Sequence, residues 1–189
     1  ISGGEPGTIP WDALQADVVI DATGRFLTRE KLARHLESGA KRVFLTRNPK
    51  NNIDRYVIPG INESSISASD KIISTTSSTT QVLALMIKML DEAFGLQRAM
   101  MTTVHAYTAD QPLADAAGAD LRRSRSAVEN IIPNTTKAPD LVKKIMPQYE
   151  GKIEGIAFNV PVPNGSCVDL TTELERMPTI EKANQAIKS

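Results

Sequence analysis

Apolar positions along this chain change rhythm near its middle. In the first part they come as short, nearly continuous runs: Ala16-Asp17-Val18-Val19-Ile20-Asp21-Ala22-Thr23, Lys41-Arg42-Val43-Phe44-Leu45-Thr46, Tyr56-Val57-Ile58 and Lys71-Ile72-Ile73-Ser74. That pattern predicts strands buried on both faces. Between the first two runs, Thr28 is placed to cap an amphipathic helix over 29–38, with Leu32 and Leu36 inward and His35 on the surface. A strand–helix–strand succession demands a parallel sheet with a right-handed crossover. From 79 to 94, Val82, Leu85, Met86, Met89, Leu90 and Ala93 recur at three-and-four spacing, which predicts one buried stripe of a helix that Gly95 ends. Longer strands are expected at 98–104, 152–162 and 166–174, with helices near 138–146 and 180–188. Asn164-Gly165 predicts a hairpin between the last two strands, while Pro161 and Pro163 demote the adjacent strand to an edge or a bulged segment.

Composition narrows the class. With 41% hydrophobic residues over 189 positions the chain can bury a core, enough for one domain or two small ones. Its 22 basic and 22 acidic side chains cancel, so no nucleic-acid or membrane partner is implied. The local cluster Arg122, Arg123 and Arg125 reads as a solvated or interface patch. A single cysteine, Cys167, excludes an intramolecular disulfide, agrees with a cytoplasmic location, and with two histidines offers no metal-ligand spacing. No signal peptide and no membrane-spanning apolar run is evident.

The chemistry gathers at two places. Ser78, followed three residues later by Gln81, has the form of a capping box at the start of the 79–94 helix. A helix N-terminus stabilises anions and would lower the pKa of a cysteine there; a serine gains far less and needs an aligned general base. His105 follows the strand Met100-Met101-Thr102-Thr103-Val104, at the kind of strand end where open α/β sheets often place active sites.

Ser77-Ser78-Thr79-Thr80-Gln81 and Thr102-Thr103-Val104-His105-Ala106 together resemble the active-site motifs of the phosphorylating glyceraldehyde-3-phosphate dehydrogenases, with Ser78 where the nucleophilic cysteine belongs. Five more pieces resemble that family in its order: Ala22-Thr23-Gly24-Arg25-Phe26, Val57-Ile58-Pro59-Gly60-Ile61-Asn62-Glu63, Asp120-Leu121-Arg122-Arg123-Ser124-Arg125, Asn130-Ile131-Ile132-Pro133 and Val160-Pro161-Val162-Pro163-Asn164. The resemblance implies an α/β fold: the C-terminal part of a Rossmann-like parallel sheet and NAD-binding domain over 1–77, then an α+β catalytic domain with a mainly antiparallel sheet over 78–189. The Gly-rich dinucleotide fingerprint occurs nowhere in these residues, so an internal segment lacking both ends of the family's chain is expected.

The implied reaction is NAD- or NADP-dependent oxidation of a phosphorylated aldehyde with capture by inorganic phosphate, in glycolysis. Ser78 and His105 take the catalytic positions, and Ser78 implies little or no phosphorylating activity. Ser77, Thr79, Thr108 and Thr136 match phosphate-contacting positions, and Thr23, Gly24 and Thr46 match positions lining the nicotinamide cleft. Segment 107–126 resembles a loop that reaches a neighbouring subunit, which implies a homotetramer. Asn159 stands where the family usually has a phosphate-gripping arginine, and Lys137, where glycine is usual, is a candidate to return that charge. The paired changes at Ser78 and Asn159 also allow a non-catalytic member that binds NAD, a sugar phosphate or a protein partner.

Overall fold

Short apolar runs build most of one parallel sheet, and only its interior strands are covered on both faces. The computed structural model describes residues 4–188, and these divide into two compact units, one ending at Gln81 and one beginning at Val82. In the first unit, β1 (Val18–Asp21), β2 (Arg42–Leu45), β3 (Arg55–Tyr56) and β4 (Ile72–Ser74) form a sheet in the order β1-β2-β4-β3. Every pairing in it is parallel. The crossover from β1 to β2 is α1 (Arg29–Glu37), with Thr28 as its N-cap. Gly39, at φ +109, follows α1; a Cβ there would sit 2.5 Å from the Asp12 nitrogen, so the backbone approach requires glycine.

The core of this unit is Phe26, Leu32, Val43, Leu45 and Ile72, with Leu27, Ala33, Leu36 and Ile53 packed against it. Truncating a fully buried leucine such as Leu32 to alanine costs about 2–5 kcal/mol. His35 contradicts the surface expectation. It is 5% exposed, because its ring is consumed by polar partners rather than by water. Strand β1 departs from the expectation of burial on both faces: it is an edge strand whose Val19 and Asp21 are buried while Val18 and Ile20 on its other face are exposed.

Helix α2 (Ser78–Phe94) starts one residue earlier than expected, and Gly95 closes it at φ +74. Its buried residues include Leu83, Ala84, Ile87, Leu90 and Phe94. Of the expected stripe only Leu90 is buried, and Val82 is 42% exposed. The helix is apolar nearly all round from 82 to 90, so two different three-and-four stripes fit the sequence and periodicity alone does not choose the face.

The second unit's sheet is mixed, in the order β6-β7-β5-β8, from β5 (Leu96–Ala106), β6 (Ile132–Asn134), β7 (Ile153–Val160) and β8 (Ser166–Leu174). Two of its three pairings are antiparallel, and β5 with β7 is parallel. The expected hairpin is absent: β7 and β8 flank β5 instead of pairing. Pro161 and Pro163 have no N–H to donate to a ladder, and the connection crosses the end of β5, where the Ala106 N–H donates to the Gly165 carbonyl. For the same reason β7 is interior and the prolines lie beyond its end, while Pro133 lies in the edge strand β6.

Helix α3 (Ala138–Ile145) packs on β7 through buried Leu141 and Val142. A Cβ at Gly155 would meet Pro139 and Met101 at about 3 Å, so this glycine lets α3 lie close to the sheet. Tyr149 is buried and its hydroxyl donates to Asp91 Oδ2 at 2.7 Å, while Asp91 Oδ1 accepts the Leu96 N–H. Burial first, and then the Asp91 carboxylate, push the Tyr149 phenol well above its ordinary range. Helix α4 (Ile180–Lys188) ends the described chain.

Candidate functional site

Three clusters carry the residues singled out from sequence: the strand ends around Asp21, the β4–α2 turn, and the end of β5. At the first, Asp21 closes β1 with its side chain buried. Its Oδ1 accepts both the Thr23 N–H at 2.9 Å and the Thr23 hydroxyl at 2.7 Å. The Asp21 backbone carbonyl accepts the Thr46 N–H at 3.2 Å and the Thr46 hydroxyl at 3.4 Å. Thr23 and Thr46 are thus tied to one residue, and Gly24 turns the chain between Thr23 and Arg25 at φ +70. Behind the carboxylate, Asp21 Oδ2 meets His35 Nε2 at 3.4 Å, and the Trp11 indole N–H donates to His35 Nδ1 at 3.0 Å. Trp11 can only donate, so His35 Nδ1 is the acceptor and Nε2 carries the hydrogen toward Asp21.

Sequence reasoning missed Asp21, His35 and Trp11. The available signal was a carboxylate at a strand end followed two residues later by threonine, the pattern of a side chain that bonds its own turn.

At the second place, the chain leaves β4 through Thr75 and Thr76 and enters α2 at Ser78. The turn is fastened on all sides. Ser74 Oγ donates to the Arg47 carbonyl and accepts the Thr76 N–H, the Thr75 N–H donates to the Leu45 carbonyl, and Gln81 Nε2 donates to the Thr75 carbonyl. Thr76 has φ +64, a conformation costly for a β-branched residue, and its buried hydroxyl has no partner among the described residues. The expected capping role shifts by one residue: Ser77 Oγ accepts the Thr80 N–H at 3.3 Å and meets Thr80 Oγ1 at 2.9 Å. Ser78 is consequently free of capping duty and exposed, in the first turn of a 17-residue helix with no acidic residue in that turn. The positive end of the helix dipole is therefore unopposed there. Thr79 is half-buried beside it.

At the third place, His105 lies next to the last residue of β5, opposite Asn159 of β7 and Ser166 of β8. His105 Nδ1 is 2.7 Å from the Ala106 carbonyl oxygen. A carbonyl only accepts, so Nδ1 bears a hydrogen, and in the neutral ring Nε2 is the nitrogen with the lone pair. Asn159 is 8% exposed; its Nδ2 donates to the same carbonyl at 3.2 Å, and its Oδ1 accepts from Asn134 Nδ2 at 3.0 Å.

Thr136 Oγ1 accepts the Ala138 N–H at the start of α3, and Lys137 is the exposed N-cap residue of that helix. Thr108 donates its hydroxyl to Asp110 in a short bond. That hydroxyl first, and then Arg123 at 2.7 Å, hold the Asp110 carboxyl below its ordinary range against partial burial. The 107–126 segment is closed on itself by this pair, by Arg125 with Asp115, and by the Ala116 N–H on the Ser124 carbonyl. Two members of the arginine cluster are therefore ion-paired, and Leu121 beside them is 82% exposed. The structure thus gathers His105 with Asn159, and Thr23 with Thr46.

The sequence is similar to that of known proteins. Residues 77–189 fit the model of the glyceraldehyde 3-phosphate dehydrogenase C-terminal domain. A glyceraldehyde-3-phosphate dehydrogenase of Geobacillus stearothermophilus is 44% identical over 98% of this chain and 55% of its own length. One of Mycobacterium avium is 43% identical over 97% of this chain and 54% of its own, and a chloroplastic one of Arabidopsis thaliana is 43% identical over all of this chain and 47% of its own. The chain spans about half the length of the relatives it matches. It belongs to the glyceraldehyde 3-phosphate dehydrogenase family.

Proposed function

We propose that this chain carries the acyl-transfer machinery of an NAD-dependent, phosphorylating aldehyde dehydrogenase, acting on a phosphorylated aldehyde with inorganic phosphate as acceptor. Position 78 is the point of attack on the aldehyde, and His105 Nε2 takes the proton as the bond forms. The observation that supports this most is the β4–α2 turn. Ser74, Thr75 and Gln81 fix the backbone, Ser77 does the capping, and residue 78 is left exposed at an unopposed helix N-terminus.

A thiol there would be drawn toward its anion; the Ser78 hydroxyl is too weak an acid to follow and would give an ester, a poorer acyl donor than a thioester. This version is accordingly a slow or silent phosphorylating enzyme. Ser77, Thr79, Thr136 and Lys137, near the starts of α2 and α3, are the phosphate-contacting candidates, together with Thr108 in the loop after β5. Thr23, Gly24 and Thr46 suit the nicotinamide end of the cofactor, since they stand at the C-terminal ends of parallel strands and two of them are fixed on Asp21. When bound, the cofactor supplies the hydride acceptor. The 107–126 segment, self-tied and carrying exposed Leu113 and Leu121, is the proposed subunit contact of a homotetramer. Among the described residues no helix is long and apolar enough to cross a membrane. Bacterial and chloroplastic relatives both match, so kinship does not fix a compartment.

A second reading, a non-catalytic binder of NAD, a sugar phosphate or a protein, is favoured by Ser78 itself. Grafting this chain into the flanking sequence of the Geobacillus stearothermophilus relative separates the two. With NAD, glyceraldehyde 3-phosphate and phosphate, the Ser78→Cys graft should form NADH at least ~100-fold faster than the serine form. A Ser78→Cys, Asn159→Arg graft that also stays silent would leave binding as the function.

A further inference from the structure

Asn159 carries a buried amide that is not left free to meet a ligand. Its surroundings fix which way it points. The Ala106 carbonyl only accepts, so the Asn159 nitrogen must face it. The Asn159 oxygen then takes the hydrogen of Asn134 Nδ2, and the Asn134 oxygen takes the Thr135 N–H at 2.8 Å. A donor that cannot accept lies at one end of this series and an acceptor that cannot donate at the other, so neither amide can flip without losing its bonds.

The Ala106 carbonyl has two lone pairs and spends them on two side chains, the Asn159 amide and the His105 imidazole. We infer that Asn159 is a positioning residue: with Asn134 behind it, it holds the Ala106 carbonyl in the direction that keeps His105 as the Nδ1–H tautomer, with Nε2 the proton-accepting nitrogen. The three residues come from three neighbouring strands, with His105 on β5, Asn159 opposite it on β7, and Asn134 on β6. Asn159 therefore acts through a main-chain oxygen on the ring. This inference rests on the reading of His105 as the proton acceptor.

The chain has two histidines, and the structure assigns them opposite tautomers: Nδ1–H for His105, and Nε2–H for His35, whose Nδ1 accepts from Trp11. Nitrogen NMR of chain labelled with ¹⁵N on histidine reads both at once, at about pH 9, above the ordinary imidazole range. His105→Asn assigns the signals. The expected result is one ring of each tautomer. Asn159→Ala and Asn159→Asp should each shift the His105 tautomer ratio toward Nε2–H by roughly two- to tenfold, the value of one neutral hydrogen bond, with His35 unchanged. Asn159→Asp keeps an acceptor for Asn134 and loses the donor to Ala106 but adds a negative charge at this pH, so the uncharged Asn159→Ala must move the ratio the same way. Asn134→Ala, which releases the network from its far end, should shift the ratio the same way if the Asn159 variants do not fold. An Nε2–H ring at His105 in the unaltered chain, or a His105 ratio unmoved in every variant that folds, overturns the inference. The readout involves no turnover, so failure of His105 as a catalyst would appear separately, in the NADH assay of the Ser78→Cys graft.

Discussion

Replacing His35 by leucine should unfold the first unit far more easily than its place in an amphipathic helix suggests. In the native chain its ring fills a buried position and meets polar partners on both sides, the Trp11 indole at 3.0 Å and the Asp21 carboxylate at 3.4 Å. Leucine supplies comparable apolar volume and neither bond. The Asp21 carboxylate, its side chain 1% exposed, keeps only the two donors of Thr23 and loses its third. A lost hydrogen bond to a buried charged group costs about 1.5–3 kcal/mol, and the half-buried Trp11 N–H adds up to ~1 kcal/mol because water can reach part of it.

The total is about 2–4 kcal/mol for His35→Leu, a large part of the ~5–15 kcal/mol that stabilises an ordinary domain. Asp21→Asn should cost a similar amount, because the amide nitrogen would face the His35 Nε2–H, and the alternative tautomer would face the Trp11 N–H. The double variant should then cost less than the two losses added. Urea unfolding followed by the fluorescence of Trp11, the only tryptophan, reads the first unit directly. A His35→Leu midpoint equivalent to less than ~0.5 kcal/mol, the ordinary size of a surface change, would refute the buried network.

Acid should act through Asp70, whose carboxyl is held down to about 2 by the Arg55 guanidinium first and the Ser67 N–H next. A folded pKa below the ordinary carboxylate value gives stability that is present above about pH 4 and lost as pH falls toward 2. Asp70→Asn should be less stable than the parent at pH 7, and the gap should close across that window in pH-stepped thermal melts; a constant gap would count against the pair. Gly39→Ala should destabilise by about 2 kcal/mol or more, from positive φ and the Asp12 backbone 2.5 Å away, read as a drop in melting temperature. An unchanged melt would mean the turn relaxes freely.

Much of the architecture was legible because each local signal had one physical reading. Apolar, β-branched runs such as Val18–Asp21 and Ile72–Ser74 are too short for helices and read as strands, although only Ile72–Ser74 is buried throughout; Thr28 and Gly39 bound a helix, and that succession forces parallel pairing. What escaped had two readings locally and was decided by distant partners. The buried face of α2 could not be chosen among Val82, Leu83, Leu85, Met86 and Ile87, all apolar. Asn164-Gly165 marks a tight turn, but pairing was decided by β5 lying between its flanking strands. His35 looked like a surface residue because its partners, Trp11 and Asp21, stand 24 and 14 residues away in the chain. Positions 78 and 105 stand out in the sequence as motifs; the bonds linking Asn134, Asn159 and the Ala106 carbonyl do not, since Asn134 and Asn159 carry no signal of pairing in a single sequence.

The decisive measurement is acylation at position 78. In a Cys167→Ser background, which removes the exposed competing thiol, the Ser78→Cys chain is treated with p-nitrophenyl acetate and the modified peptide is identified by mass. A single acetyl group on the thiol introduced at position 78, formed at least ~100-fold more slowly once His105 is changed to asparagine, is the result expected of a nucleophile served by a general base. Acetylation spread over lysines, or a rate at that thiol indifferent to His105, would contradict it.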